Sequence, residues 1–466
     1  MSNSPDSKRE ALLNWLAAGC DERVIRHPQT GDIKYHLDPL GGAQLHYRGS
    51  CTAGVLTEDV YPAALEAVDR IERGSMAGWA DEQRRRIEEL VPTGVPFDTF
   101  FAPSGTDLLY YPLLFARTLS TRPILNLLSC PEELGSGSRH AVSGQFFSER
   151  AANGQALQPG KPVHQGLLGE VIEMQARSED GRIRNRHDDI HQLLDAHTDK
   201  QVIVHLVFGS KSGIKDDLDI IAHRPNVMWT VDLCQFRADP ELIGRLLGQG
   251  VLVLITGSKF YHAPPFCGAL LAPKSLGDRL VNRVAEAASG LAPVLAQSDL
   301  PERYASFRSM LPMEENPGSR LRWECALHEM EAISAYPRSE VDAAIREWNE
   351  EVGRLLGHHA EFELIPDQAK TNDSIISFRI KSAGRYLNKK EMQAVHRIFC
   401  TADWSAQGLF KRVFIGQPVT YGERSFLRVA LGSRGVRHRL SGGDTRAEDA
   451  LMLDLLAQTS RDFMAS

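Results

Sequence analysis

The stretch Val251-Leu252-Val253-Leu254-Ile255-Thr256-Gly257-Ser258-Lys259 puts five apolar residues in a row, then a small-residue turn, then a lysine. A short continuous apolar run rich in β-branched residues reads as a strand buried on both faces. A lysine at the mouth of such a strand is costly unless its charge is paired or removed, and forming an imine with an aldehyde removes the free amine. Taken alone, Lys259 reads equally well as a surface residue just past a strand.

Similar runs precede it at Phe97–Ala102, Ile124–Ser129, Val171–Gln175, Val202–Phe208 and Val227–Asp232. Segments with apolar residues at helical spacing lie between them, such as Thr106–Leu119 and Pro240–Gln249. This alternation predicts an α/β fold, a parallel sheet with helices on both faces. After about residue 275 the pattern changes. Helical stretches at Ser275–Ala288, Arg322–Ala335 and Glu340–Leu356 lead to strand-like Ile375–Ile380, a helix near Lys389–Phe399 and strand-like Phe426–Leu431. That mixture suggests a smaller α+β C-terminal domain. A chain of 466 residues is also long for one core. The expected division is an N-terminal segment over 1–60 that packs on the active site, a large domain over 61–300 and a small domain over 301–466.

In open α/β sheets ligands bind beyond the carboxyl ends of the strands, so the strand ends are where chemistry is sought. Trp229-Thr230-Val231 ends in Asp232-Leu233-Cys234-Gln235. Phe100-Phe101-Ala102 ends in Pro103-Ser104-Gly105-Thr106-Asp107 and then a helical pattern. A small-residue turn opening a helix gathers free backbone N–H groups and a positive dipole end, which suits a phosphate. Gly105 allows close approach and Thr106 adds a hydroxyl.

Phosphate turn, buried carboxylate and strand-end lysine, in that order, resemble the fold type I pyridoxal 5′-phosphate (PLP) enzymes, the aspartate aminotransferase superfamily. The nearest resemblance is to the class V branch of aminotransferases, cysteine desulfurases and kynureninase. It implies a mostly parallel seven-stranded sheet flanked by helices, PLP held by Lys259 as a Schiff base, and a homodimer with its active site at the interface. Asp232 would then keep the pyridine nitrogen protonated, and Gln235 would donate to the phenolic oxygen. Ser104, Gly105, Thr106 and Thr256 would hold the phosphate, with Ser258 where relatives carry a histidine. Ser210, in Gly209-Ser210-Lys211-Ser212-Gly213, stands where relatives use an asparagine near the substrate.

The resemblance also calls for a group over the cofactor ring after Ile124–Ser129. The candidates are Glu132 and Glu133, with His140 a few residues on; Glu133 would be a packing group or an acid/base. Arg428, in Phe426-Leu427-Arg428-Val429, resembles the family's carboxylate-binding arginine, with Arg434 as fallback. Arg320 and Arg322 fall where relatives reach toward the partner subunit's phosphate. Gly49-Ser50-Cys51-Thr52 resembles a segment folding over the substrate entrance.

Other classes fit less well. The formal net charge of −7 offers no field for nucleic acid. No stretch approaches the roughly 18 apolar residues of a membrane span. The N-terminus reads as an amphipathic helix opened by Ser4-Pro5-Asp6 and not as a secretory signal. The seven cysteines, widely spaced and without a CxxC pair, are expected to be reduced thiols of a cytoplasmic protein, and no metal site is expected.

The expected activity is that of an aminotransferase on an amino-acid substrate. The alternatives are a PLP lyase, by β-elimination, desulfuration or decarboxylation, and a non-catalytic PLP-binding protein. A desulfurase needs a nucleophilic cysteine on a mobile loop, and Cys400 is the candidate.

Overall fold

A computed structural model describes residues 5–34, 36–50, 54–235, 239–367, 373–382, 384–421 and 424–465. Cys51 and Thr52 of the expected entrance segment lie outside them. The strands in chain order are β1 (Leu45–Arg48), β2 (Phe97–Ala102), β3 (Ile124–Ser129), β4 (Gly169–Met174), β5 (Gln201–Val207), β6 (Val227–Asp232) and β7 (Leu252–Thr256). Then follow β8 (Gly268–Pro273), β9 (Phe362–Leu364), β10 (Ile375–Ser382), β11 (Arg385–Tyr386), β12 (Arg412–Tyr421) and β13 (Arg424–Ala430).

Among the described residues these form two sheets. The first has seven strands in the order β2-β8-β7-β6-β5-β3-β4. From β7 to β4 every pairing is parallel, while β8 runs antiparallel between β2 and β7. Six of the seven strands are the apolar runs read from sequence. β8 is the seventh: Gly268-Ala269-Leu270-Leu271-Ala272-Pro273 has no β-branched residue, so its sequence carries little strand signal.

The central strands of this sheet are buried on both faces, which is why they are largely apolar, while the edge strand β4 keeps exposed positions such as Glu170 and Glu173. Successive residues alternate between two cores. Leu252 and Leu254 join Phe100 and the helix Tyr110–Leu119 in one, whereas Val253 and Ile255 join Phe101, Trp323 and Ile243 of the helix Pro240–Gly248 in the other. The α/β layering with helices on both faces follows from that double burial.

The second sheet has the order β1-β12-β13-β10-β11, with β9 beside β10. Helices Arg338–His358, Lys389–Thr401 and Thr445–Ala465 pack on it, giving a smaller α+β unit. Its edge strand β1 comes from the N-terminal segment and pairs parallel with β12. Asp449 fastens that strand to the last helix. Arg48 Nε donates to its Oδ1 at 2.6 Å and Trp348 Nε1 to its Oδ2 at 2.9 Å. Burial opposes ionisation there, but Arg48 and His46 hold the Asp449 carboxyl at about 2.

Candidate active site

A cavity of about 320 Å³ opens at the carboxyl ends of β5, β6 and β7, where β13 of the second sheet meets the first. Lys259 and Asp232 both line it, from the loops that follow β7 and β6. Asp232 Oδ1 accepts the Cys234 N–H at 2.7 Å, which fixes the carboxylate just past its strand. The Cys234 thiol sits within reach of both Asp232 and Lys259. Burial, then the Asp232 charge, push that thiol far up, with Lys259 opposing, so it stays protonated.

The turn Ser104-Gly105-Thr106 forms the next wall. A Cβ at Gly105 would stand 3.0 Å from Thr256 Cγ2 and 3.5 Å from Cys234 Sγ, so the turn rests directly on the ends of β7 and β6. Its amides differ from the expectation. The Ser104 hydroxyl accepts from the N–H groups of Thr106 and Asp107, both at 3.2 Å, and donates to Asp107 Oδ2 at 2.6 Å. The regular helix then starts only at Tyr110, after a 3-10 turn over Asp107–Leu109. Two donors expected to be free are thus used within the turn, because a serine side chain competes for nearby backbone groups. Thr106, Thr256 and Ser258 line the same cavity, the Thr256 hydroxyl donating to the Cys234 carbonyl at 3.2 Å. Asp107 itself is buried; desolvation outweighs the Ser104 hydrogen bond and raises its carboxyl to about 7.

Glu133 and Ser210 line the cavity as well, but as parts of one closed network. The Glu133 carboxylate accepts from the hydroxyls of Ser210 and Tyr421. It also accepts from Ser212 through its N–H at 2.8 Å and its hydroxyl at 2.6 Å, and from Arg177 Nε at 3.4 Å. Both oxygens of this side chain are thus occupied and its position is fixed by its donors. Leu134, its neighbour, also faces the cavity. Glu132 instead accepts the Ala176 N–H at 3.3 Å. His140 is paired with Gln145 at 2.9 Å and is not among the lining residues.

Arg428, on β13, is buried and lines the cavity from the second sheet. Its Nη1 donates to the Gln417 carbonyl at 2.8 Å. Arg434 lines a different, smaller cavity beside β1.

Four residues singled out from the sequence lie elsewhere. Gln235 does not line the cavity; its Nε2 donates to the Ser50 carbonyl at 3.1 Å, which ties it to the N-terminal segment. Arg320 and Arg322 are fully buried within their own chain and do not reach outward. Arg320 pairs with Asp299 at 2.9 Å, and Arg322 donates to the carbonyls of Phe266, Leu16, Ala18 and Gly19. Cys400 is buried in the helix Lys389–Thr401, 3.6 Å from His396 Nε2, and away from the cavity.

Sequence reasoning missed several lining residues. His205 lies at the end of β5 between Asn126 and Thr230, at 3.0 and 3.1 Å, and burial lowers its imidazole to about 3, so it is neutral. A lone histidine in an apolar run reads as core, and nothing local marks it. Arg23, Lys34 and Phe266 line the opening, brought there by tertiary structure alone.

No protein-family model and no curated protein matches the sequence. Solved structures do match the fold. Alanine–glyoxylate aminotransferase from Nostoc sp. is similar at a TM-score of 0.56 and 12% identity, over 89% of this chain and 94% of that one. A cysteine desulfurase from Escherichia coli gives 0.55 and 14%, over 90% and 94%. Serine palmitoyltransferase from S. paucimobilis, solved with bound PLP, gives 0.51 and 11%, over 90% and 88%. The fold is that of the fold type I PLP enzymes. At these identities the fold is what is shared. No helix among the described residues is long and apolar enough to cross a membrane, and no cluster of three or more metal-ligating side chains occurs among them.

Proposed function

We propose that this chain is a PLP-dependent enzyme acting at the Cα of an amino acid, and specifically an aminotransferase. One observation carries the reading: Lys259, Asp232, the Ser104–Thr106 turn and Arg428 come from four distant segments and line a single cavity. The donor set suits the cofactor. A glycine without room for a Cβ and the hydroxyls of Thr106, Thr256 and Ser258 offer a wall for a phosphate, an amine is available for an aldehyde, and a carboxylate for a pyridinium.

Bound there, PLP would supply the electron sink for a carbanion at the substrate Cα. The protein supplies the rest. Asp232 would hold the proton on the ring nitrogen. Lys259 would anchor the cofactor and, once the substrate amine has displaced its own, act as the base that takes the proton from Cα and carries it to the cofactor side. Arg428 would grip the α-carboxylate with two parallel hydrogen bonds and so orient the bond to be broken. Glu133 would aim Ser210 and Ser212 through its hydrogen bonds with them.

Aminotransfer needs no further group from the protein. Desulfuration needs a mobile thiol, and Cys400 does not supply one. β-Elimination, decarboxylation and binding without turnover are the outcomes against which aminotransfer is tested. A homodimer accords with the resemblance and is checked by light scattering. Following the cofactor spectrum through a panel of amino acids tests the reaction: aminotransfer converts PLP to its amine form, elimination releases keto acid with ammonia or sulfide, decarboxylation releases CO₂, and binding alone leaves a stable complex. Lys259→Ala should abolish the borohydride-reducible linkage with the fold retained; a covalent adduct persisting elsewhere would sink the lysine assignment.

A further inference from the structure

The expected phosphate cations are absent from the cavity. Arg320 and Arg322 point into the core, and the Ser104 hydroxyl has taken two of the amides of the phosphate turn. A phosphate dianion held by hydroxyls alone would be poorly matched in charge, since charged donors make hydrogen bonds roughly twice as strong as neutral ones. Besides Lys259, the cations lining the cavity are Arg23, Lys34, Lys211 and Arg428; Lys211 donates to the Leu134 carbonyl and Arg428 to that of Gln417, and the one that stands against the Phe266 loop comes from the N-terminal segment.

That cation is Arg23. Its guanidinium lies over the Phe266 ring, 4.4 Å from the centroid, and its Nε donates to Asp21 at 2.8 Å. The loop that carries Phe266 packs on the phosphate turn through Gly268. Phe266 lies two residues before Gly268, where a Cβ would stand 2.9 Å from the Ser104 carbonyl carbon and 3.2 Å from Gly105 N. The Asp107 carboxyl at the end of the turn accordingly feels the charges of both Asp21 and Arg23. Phe266, Arg23 and Ser104–Thr106 all line the one cavity.

The arrangement is built and not incidental. Phe266 has φ +77°, the left-handed region that a bulky residue enters only when its surroundings force it. Arg322 supplies that constraint: its Nε holds the Phe266 carbonyl at 2.8 Å, while its Nη1 and Nη2 hold the carbonyls of Leu16, Ala18 and Gly19 at 2.7 to 3.2 Å. One buried guanidinium thereby locks the turn that carries Asp21 and Arg23 against the loop that carries Phe266. Asp21 takes the Nε and Nη2 edge of Arg23 and so sets the plane of the guanidinium.

We propose that Arg23, supplied by the N-terminal segment of the same chain, is the cation that binds the cofactor's phosphate. The inference rests on the PLP reading above and adds to it where the phosphate charge is met. It makes the turn that carries Asp21 and Arg23 part of the cofactor site.

The test compares PLP with pyridoxal, which lacks the phosphate, by spectrophotometric titration of the cofactor-free protein. Arg23→Gln should raise the Kd for PLP roughly 10- to 100-fold, the cost of one charged hydrogen bond, and leave that for pyridoxal within about twofold. Unchanged pyridoxal binding also shows that the variant is folded. Arg23→Lys should recover part of the loss. Equal weakening toward both compounds, or none toward PLP, would overturn the proposal while leaving Lys259 and the cofactor intact. A wild-type protein that forms no reducible PLP linkage would instead overturn the reading on which it rests.

Discussion

Gly416 and Arg428 face each other across β12 and β13, so closely that a Cβ on Gly416 would stand 2.2 Å from Arg428 Cγ and 2.8 Å from its Nε. Only glycine leaves the arginine its path into the cavity. Gly416→Ala should therefore displace the guanidinium and weaken amino-acid binding while PLP still binds. Arg428→Lys keeps the charge but loses the planar fork, with an expected loss of about 1.5 to 3 kcal/mol in substrate binding. Spectral titration with amino acids checks both, and unchanged affinity in the pair would remove Arg428 from the carboxylate site.

Asp232→Asn is a clean change of charge. An amide oxygen can still accept the Cys234 N–H that the carboxylate now accepts at 2.7 Å, so the loop should stay in place. The reducible linkage to Lys259 should survive, and exchange of the substrate Cα proton with deuterated solvent should slow by roughly a hundredfold or more. Exchange at the wild-type rate, followed by NMR, would show that Asp232 does not face the ring nitrogen.

Glu133 is expected to matter for stability before it matters for chemistry. Its partner Arg177 is buried, so Glu133→Ala would leave an uncompensated guanidinium, at a cost of about 3 to 5 kcal/mol. Glu133→Gln keeps the shape but not the charge and should lose less. Urea denaturation measures both; a loss below about 1 kcal/mol for the alanine variant would mean that the network does not hold this wall.

Asp107 should give stability an unusual pH slope. Its folded carboxyl titrates at about 7, above the ordinary range near 3.8, because burial outweighs the Ser104 hydrogen bond. Between those values the native state keeps a proton that the unfolded chain has released, so this group's contribution falls as pH rises from about 4 to 7. Asp107→Asn carries no such proton and should remove that slope, by a total on the order of 4 kcal/mol. Denaturation curves at pH 5 and pH 8 make the comparison; parallel pH dependence in the two proteins would place the Asp107 titration elsewhere.

The parts of the molecule readable in advance are those whose physics is local. β2, β6 and β7 are legible because burial on both faces makes most of their positions apolar, and a strand's end points to where its side chains can meet a ligand. Lys259, Asp232 and Arg428 follow from that rule and from the resemblance. What fails is whatever tertiary structure decides. Gln235 follows Asp232 by three residues, yet its amide goes to Ser50, far away in sequence. Ser104 spends turn amides that its composition alone leaves open. Arg322 lies on a helix, Pro317–Ser334, whose burial on nearly every side could not be inferred from its polar sequence. Arg23 is invisible for the same reason, since its importance lies wholly in Phe266.

The parallel pairing of β1 with β12 also sets a timetable. During synthesis Leu45–Arg48 emerges long before Arg412–Ile415, and at 5 to 20 residues per second the wait is roughly twenty seconds to a minute. In the later part of that interval, once residue 259 has been made, the Lys259 loop exists while the second sheet, and with it Arg428, does not. The nascent chain would present a reactive amine in an unfinished cleft, and contacts joining distant segments form slowly. The cavity thus gains its Arg428 wall only when nearly the whole polypeptide has been made.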